Sequence, residues 1–332
     1  MLYPYLLMDA ICDKTDKFNF SYRVNKARFK FYYTKVDHWM DDRYRLSSGT
    51  MLWSMATDAK SKTYGGRIEG KLRDFLVGFE AYKRNWDAVN YMNMMGNTQY
   101  QYIIPYVDTN SFGAYGEYKK RLSEKLRLIA GMRLDSTKTK ADKANTDLYY
   151  AYKNTRSTSK TDTYPSGNIQ LFYELSKTTE LFVGLGHSVR VPDPQERYFA
   201  LKRMSGFDWV GNPNLKPSRN TELDLGIKYS TGKLFIKATA FYSYVKDYIT
   251  VHNQPKINNV MGVMNNKARS YENVNAQFFG GELDSRLAIT DSLFFFGGLS
   301  YVQARKDTKP EKNITSSKVA EIPPLKARLS IR

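Results

Sequence analysis

The chain has 332 residues and a net charge of +18, yet only 42% of it is hydrophobic and its mean hydropathy is −0.57. No apolar run approaches the ~18 residues of a membrane-spanning helix, and a single cysteine, Cys12, excludes an internal disulfide. The charge calls for an anionic neighbour, nucleic acid or a phosphate-bearing membrane, but Lys and Arg are interleaved singly with aromatics instead of clustering, so no nucleic-acid partner is expected.

The first residues, Met1 to Asp9, make a poor signal peptide: a basic n-region is missing, and Pro4 and Asp9 interrupt any apolar stretch. Alternation then begins. Phe18, Phe20, Tyr22 and Val24 alternate with Asn19, Ser21 and Arg23. From Ala27, Arg28, Lys30, Tyr32 and Thr34 fall on one parity, while Ala27, Phe29, Phe31 and Tyr33 fall on the other. Strand side chains point to opposite faces with period two. Continued regularly, this strand puts His38 and Met40 on the polar face, with Trp39 between them pointing away. An imidazole beside a thioether is half of a soft-metal site, suited to copper and to Cu(I) in particular. Tyr91-Met92-Asn93-Met94-Met95-Gly96 places three further methionines on what reads as a long external loop, where Met92, Met94 and Met95 could capture the same ion; the bland alternative is adaptable filler at a loop tip.

Further alternating segments follow. They run from Leu126 to Asp135, from Asn168 to Leu175, from Glu222 to Tyr229 and from Leu325 to Ile331, and none shows the i, i+3, i+4 spacing of a helix. Short turns fall at Asn25-Lys26, Arg73-Asp74, Ser123-Glu124, 177–180, 230–233 and 290–292. Long polar loops fall between them, at 41–50, 88–107, 136–164, 190–216, 252–271 and 306–321. Tight turns at one end and long loops at the other define an all-β, transmembrane antiparallel β-barrel, here of about thirteen strands. Leu126, Leu128, Ile169, Leu171, Leu223, Leu225, Leu325 and Leu329 are expected to face lipid. Arg28, Arg127, Glu174 and Asp224 are expected to face the lumen, and no globular core is expected. A soluble sandwich is the alternative, but its interior would not tolerate these charges.

Two sets of residues carry a family resemblance. Ser188-Val189-Arg190-Val191-Pro192, then Gly211-Asn212-Pro213-Asn214-Leu215-Lys216-Pro217, leading into Thr221-Glu222-Leu223-Asp224, resemble TonB-dependent outer-membrane receptors. Tyr3-Pro4, Leu7-Met8-Asp9, Val36-Asp37-His38-Trp39-Met40-Asp41, Met51, Met55 and Thr57 are similar to the copper-receptor subfamily. The resemblance implies a location in the outer membrane of a Gram-negative bacterium, a TonB energy-coupling protein as partner, and copper or a small copper complex as the transported ligand. It also implies that His38 and Met40 are joined by a Cys and a Met from a plug. Cys12 does not match that plug motif, because Asp16 stands where its Met would be. Residues 1–332 are therefore expected to be an internal piece of a 22-stranded receptor, without plug or C-terminal strands, that forms no stable monomeric barrel alone. Alternatives are uptake of an iron-siderophore or another chelate, and a surface binding protein or adhesin.

The remaining candidates are weaker. His187 and His252 are isolated and expected to be structural or solvated. Gly184-x-Gly186 lacks the third glycine of a dinucleotide site. Lys138, Lys140 and Lys143 are placed either to touch lipopolysaccharide phosphates or to lie in a solvated loop. No grouping of nucleophile, base and orienter is present, so no enzymatic activity is expected.

Overall fold

The computed structural model describes residues 9–44, 54–94, 96–204 and 206–332. They form one 15-stranded sheet. Six hairpins make up most of the wall: β1 (Asp9–Val24) with β2 (Ala27–Asp41), β3 (Met55–Leu72) with β4 (Phe75–Met94), and β5 (Asn97–Arg121) with β6 (Leu126–Ala141). Then come β7 (Ser159–Glu174) with β8 (Thr179–Arg190), β11 (Ser218–Ser230) with β12 (Leu234–Pro255), and β13 (Lys267–Ala288) with β14 (Phe294–Lys306), which pairs in turn with β15 (Lys326–Ile331). Between β8 and β11 lie two minor strands, β9 (Ala200–Leu201) and β10 (Asp208–Val210). The expected thirteen strands are thus all present, with these two added inside a loop.

The tight turns fall where the sequence places them. Asn25 and Arg73 adopt positive φ values of 51° and 53°, and Ser123 Oγ accepts the amides of Lys125 and Leu126. The register lines up the apolar residues strand by strand: Leu128 opposite Leu171, Leu171 opposite Val183, Val183 opposite Leu225, Leu225 opposite Ala240. Ile169, Leu223, Leu225 and Leu329 are exposed on this face, as is Leu325 just ahead of β15. The opposite face carries the charges. Arg133 lies 3.1 Å from Glu80 and 2.7 Å from Asp135, Arg28 lies 3.7 Å from Glu69, and the Arg127 guanidinium sits 4.1 Å from the centre of the Phe172 ring. Charges that pair across a water-accessible lumen would be ruinous in an apolar core. No helix among the described residues is long and apolar enough to cross a membrane, and a barrel needs none.

Three expectations need correction. The segment 88–107 is almost wholly strand, because β4 runs to Met94 and β5 starts at Asn97, and the loop expected at 252–271 is shortened to 256–266, because β12 runs to Pro255 and β13 resumes at Lys267. Beyond the membrane a ladder still satisfies its own backbone groups and needs no apolar face, so the alternation that reveals strands fades there. The loop 136–164 contains a helix, α1 (Thr146–Lys153), and 190–216 contains α2 (Pro194–Tyr198). Finally, a globular core exists. Leu148, Tyr149, Ala151 and Tyr152 of α1 pack with Tyr198, Phe199, Val210 and Ala268 against Ala88, Ile104 and Val107 of the wall. The expectation of none arose because each loop taken singly is too polar to bury anything; the core forms from several loops at once.

Candidate metal site

The Ala27–Asp41 strand pairs with β3 in unbroken register from Ala27–Gly70 to Asp41–Ala56, so it stays regular through Trp39. His38 lies opposite Ala59 and Met40 opposite Thr57, both on the parity that carries Arg28 lower in the strand. Two positions along a strand are about 6.8 Å apart, within reach of a shared ion for an imidazole and a thioether. On the next strands the same parity brings Thr57 opposite Asn90 and Met55 opposite Met92. Met55 is therefore the diagonal neighbour of Met40, about 7–8 Å away. The structure thus brings His38, Met40, Met55 and Met92 to one face of three adjacent strands. Cys12 is the register partner of Trp39, the residue between the two wall candidates.

Of the methionines expected on a loop, Met92 and Met94 are strand residues of β4, and Met95 lies outside the described residues, as does Met51. Met92 also lines a cavity of about 680 Å³ together with Met204, Met264, Gln101, Lys202 and Arg203. This cavity occupies a gap in the wall, because β5 pairs with β6 only from Val107 onward. Above that point the Gln101 amide instead exchanges two 2.9 Å hydrogen bonds with the Lys202 backbone. Met204 and Met264 are strongly exposed, at 71% and 83%.

Two aspartates that the sequence reading passed over fix this region. Asp42 accepts hydrogen bonds from the Ser54 amide at 2.8 Å, the Met55 amide at 3.0 Å and the Ser54 hydroxyl, while its own amide donates to Met55 O at 3.2 Å. Burial alone would push the Asp42 carboxyl up, but these bonds outweigh it and hold the carboxyl below its ordinary range. Asp41 accepts from the Trp39 indole at 2.8 Å and from Arg43 at 2.7 Å. Asp42 ties the end of β2 to the start of β3, so Met40 and Met55 are held in mutual register, while Asp41 anchors Trp39 and Arg43 beside it. Two adjacent acidic residues at the end of a strand were the available signal. Asn90, 4% exposed, donates its amide to Ala56 O and Thr57 Oγ1, and its Oδ1 has no partner among the described residues.

Neither remaining histidine joins this face. His187 Nδ1 lies 2.9 Å from Thr221 Oγ1 on the exposed side of the sheet. His252 is buried; its Nδ1 donates to Lys312 O at 2.7 Å and its Nε2 accepts from Lys153 Nζ at 3.1 Å. Desolvation and the Lys153 charge push His252 down to about 4, so it is neutral and structural. Desolvation likewise takes Lys153 down to about 8.

The family model for the β-barrel of TonB dependent receptor-like proteins matches residues 7–332. The chain belongs to the TonB-dependent receptor family. Among solved structures, this receptor barrel is similar to the copper transporter OprC at 26% identity and a TM-score of 0.75, covering 98% of this chain and 50% of that one. It shares its fold with the FrpB iron transporter from Neisseria meningitidis (13% identity, TM-score 0.61, covering 91% and 45%). It does so too with the ferric yersiniabactin uptake receptor FyuA from Yersinia pestis (12%, 0.58, covering 96% and 46%). No curated protein matches the chain. The receptor barrel described here spans about half the length of the first of these structures, 50%.

Proposed function

We propose that this chain is the barrel part of an outer-membrane receptor of a Gram-negative bacterium that imports copper, or a small copper complex, with energy delivered by TonB. The observation that carries the reading is the shared face: His38 and Met40 two positions apart on a regular strand, with Met55 and Met92 in adjoining register. Thioether and imidazole donors select Cu(I) over iron and magnesium. His38 and Met40 supply the wall half of the coordination shell, and a plug domain supplies the rest. The orphan carbonyl of Asn90, in the same row as Met40, suits a donor arriving from such a plug. Met204, Met264 and Met92 line the gap in the wall as a first resting place for the ion, taking the role expected of Met92, Met94 and Met95, and the ion then moves inward past Met55. Copper is the cargo here. The 26% identity to a copper transporter over 98% of this chain supports the same reading.

The test is Cu(I) binding by the full-length receptor. With both His38 and Met40 replaced by alanine, affinity should fall by at least about two decades, the loss of two soft ligands. Met55→Ala should weaken binding less. Unchanged affinity in the double variant would refute the site. A second reading, uptake of an anionic metal chelate, is favoured by the 680 Å³ cavity, which places Lys143, Lys202 and Arg203 around Met92. Competition by chelates that leaves bare Cu(I) binding untouched would separate the two.

A further inference from the structure

The lipid-facing side of β2–β5 is not uniform. In one row Phe31 is opposite Gly66, Gly66 opposite Ala81 and Ala81 opposite Phe112. Two small residues between two phenyl rings leave a pit about two strands wide, bounded below by Ile68 and Phe79, within an apolar groove of about 790 Å³. Higher on the same face the chemistry changes abruptly. Lys35 and Lys62 are direct cross-strand partners, and Lys83 lies opposite Tyr64, the next outward-facing residue along β3. Like charges opposite one another destabilise a sheet unless something neutralises them. Lys35 has Asp37 at 2.7 Å and Lys83 has Asp108 at 3.5 Å. Lys62 is exposed, has no carboxylate within ion-pair distance among the described residues, and lies 5.8 Å from the Tyr33 ring.

Above the lysines the face becomes aromatic. Trp39, Tyr91, Tyr100, Tyr102 and Tyr106 form a chain of rings with successive centroids 6.0, 6.5, 5.7 and 5.3 Å apart. Tyr100 is 61% exposed and Tyr106 42%. Their height excludes a role as the membrane's aromatic girdle. Lys62 stands 11 residues along β3 from the Arg73–Asp74 turn, about 28 Å at ~3.3 Å per residue and ~40° of tilt, which already tops an apolar band of ~25 Å. The ring chain begins above that.

We propose that the outward face of β2–β5 binds a phosphorylated glycolipid of the outer leaflet, lipopolysaccharide in its chemistry. An acyl chain fills the pit over Gly66 and Ala81, a phosphate sits between Lys35, Lys62 and Lys83, and the sugars stack on the Trp39–Tyr106 rings, whose faces are apolar and whose rims are wet. Each level of the face matches the part of the amphiphile at that depth, and the phosphate resolves the Lys35–Lys62 repulsion. Of the three basic positions that the sequence placed either against such phosphates or in a solvated loop, Lys138 and Lys140 follow on β6, while Lys143 lies beyond it and lines the cavity of the mouth. The proposal rests on the reading of this sheet as an outer-membrane barrel and on nothing concerning copper.

The experiment uses the full-length receptor reconstituted in phosphatidylcholine nanodiscs with diphosphorylated lipid A carrying core sugars, with retained lipid counted by native mass spectrometry. Wild type should retain lipid A in preference to phosphatidylglycerol. Lys62→Glu with Lys83→Glu should reduce retention roughly tenfold or more, and Ala81→Trp, which fills the pit, should do so without altering charge. Lys246→Glu, on an outward position of β12, should leave it unchanged. Heat-modifiable migration confirms that each variant is folded, and Lys62→Gln with Lys83→Gln should give an intermediate loss. Retention unchanged by both the charge and the pit variants overturns the site, as does equal retention of phosphatidylglycerol. If the wild type inserts in the bilayer and retains no lipid A, the site fails alone; if it does not insert, the membrane reading fails with it.

Discussion

The wall and the mouth of this barrel are built on opposite rules. In the wall, backbone ladders do the holding and side chains merely sort by parity, leucines outward and charges inward. In the mouth, ladders give out and side chains hold irregular backbone directly. Arg197, fully buried, reaches Asp162 at 2.7 Å, Thr139 Oγ1 at 3.2 Å and Leu215 O at 3.1 Å. Lys153, on α1, donates to Gln254 Oε1 at 2.9 Å and Tyr271 O at 3.1 Å besides His252. Lys160 and Lys256 clamp the loop carbonyls of Leu215 and Val263 in the same way, and Lys309 ties its loop to Asn273 O of β13. A strand wall can be exposed to lipid or water because its polar backbone is satisfied within the sheet. A folded set of loops must find a donor for each buried carbonyl, and long cations reach them.

That contrast can be broken at a single residue. Arg197→Ala would leave Asp162 buried without its counter-charge, a loss of about 3–5 kcal/mol. In the full-length receptor it should loosen the mouth while the wall keeps its heat-modifiable migration; limited proteolysis between 142 and 217 against an intact barrel band is the readout. Equal loss of both would show that the two regions fold as one. The wall answers to a different change. Leu225→Arg on the lipid face should cost about 2–4 kcal/mol near the midplane, measured by reversible unfolding in liposomes, whereas Asp224→Arg, one residue away on the lumen side, should cost far less. The opposite order would reverse the register.

The mouth should also respond to pH where the wall does not. His252 titrates near 4 when folded and near the ordinary histidine value of 6.5 when unfolded, so between those values the unfolded chain binds more protons and stability falls as pH falls. Lys153, taken down to about 8 from 10.5, acts in the same direction between those two values. Protection factors of the α1 amides, which already allow for the intrinsic pH dependence of exchange, should fall by up to about tenfold per pH unit between 6.5 and about 4, one proton's worth, while those of the β7 and β8 amides stay constant. His252→Gln should flatten that dependence. The smallest expected effect is at the helix start: Asn145 Oδ1 accepts the Leu148 amide at 3.1 Å, and Asn145→Ala should destabilise α1 by about 1 kcal/mol, visible in the same exchange experiment.

The sequence by itself determined the wall. Strict alternation at residues such as Leu223, Leu225 and Ile227 is forced by a two-sided environment, lipid outside and water inside, so the strands at membrane depth, their turns and their facing could be read without neighbours, but not how far the strands run beyond it. It also determined that His38 and Met40 share a face, because that follows from parity along one strand. Only the tertiary structure decided what the loops do. Leu148, Tyr149, Ala151 and Tyr152 do carry helical spacing and Asn145 is an N-cap, but eight residues do not hold a helix without a surface to bury against. That surface comes from Tyr198, Val210 and Ala268, which lie far along the chain. Likewise Met55 beside Met40, and the gap in the wall at Met92, depend on which strand lies next to which and where β5 leaves β6. Parity is a property of one strand, whereas adjacency belongs to the assembled sheet.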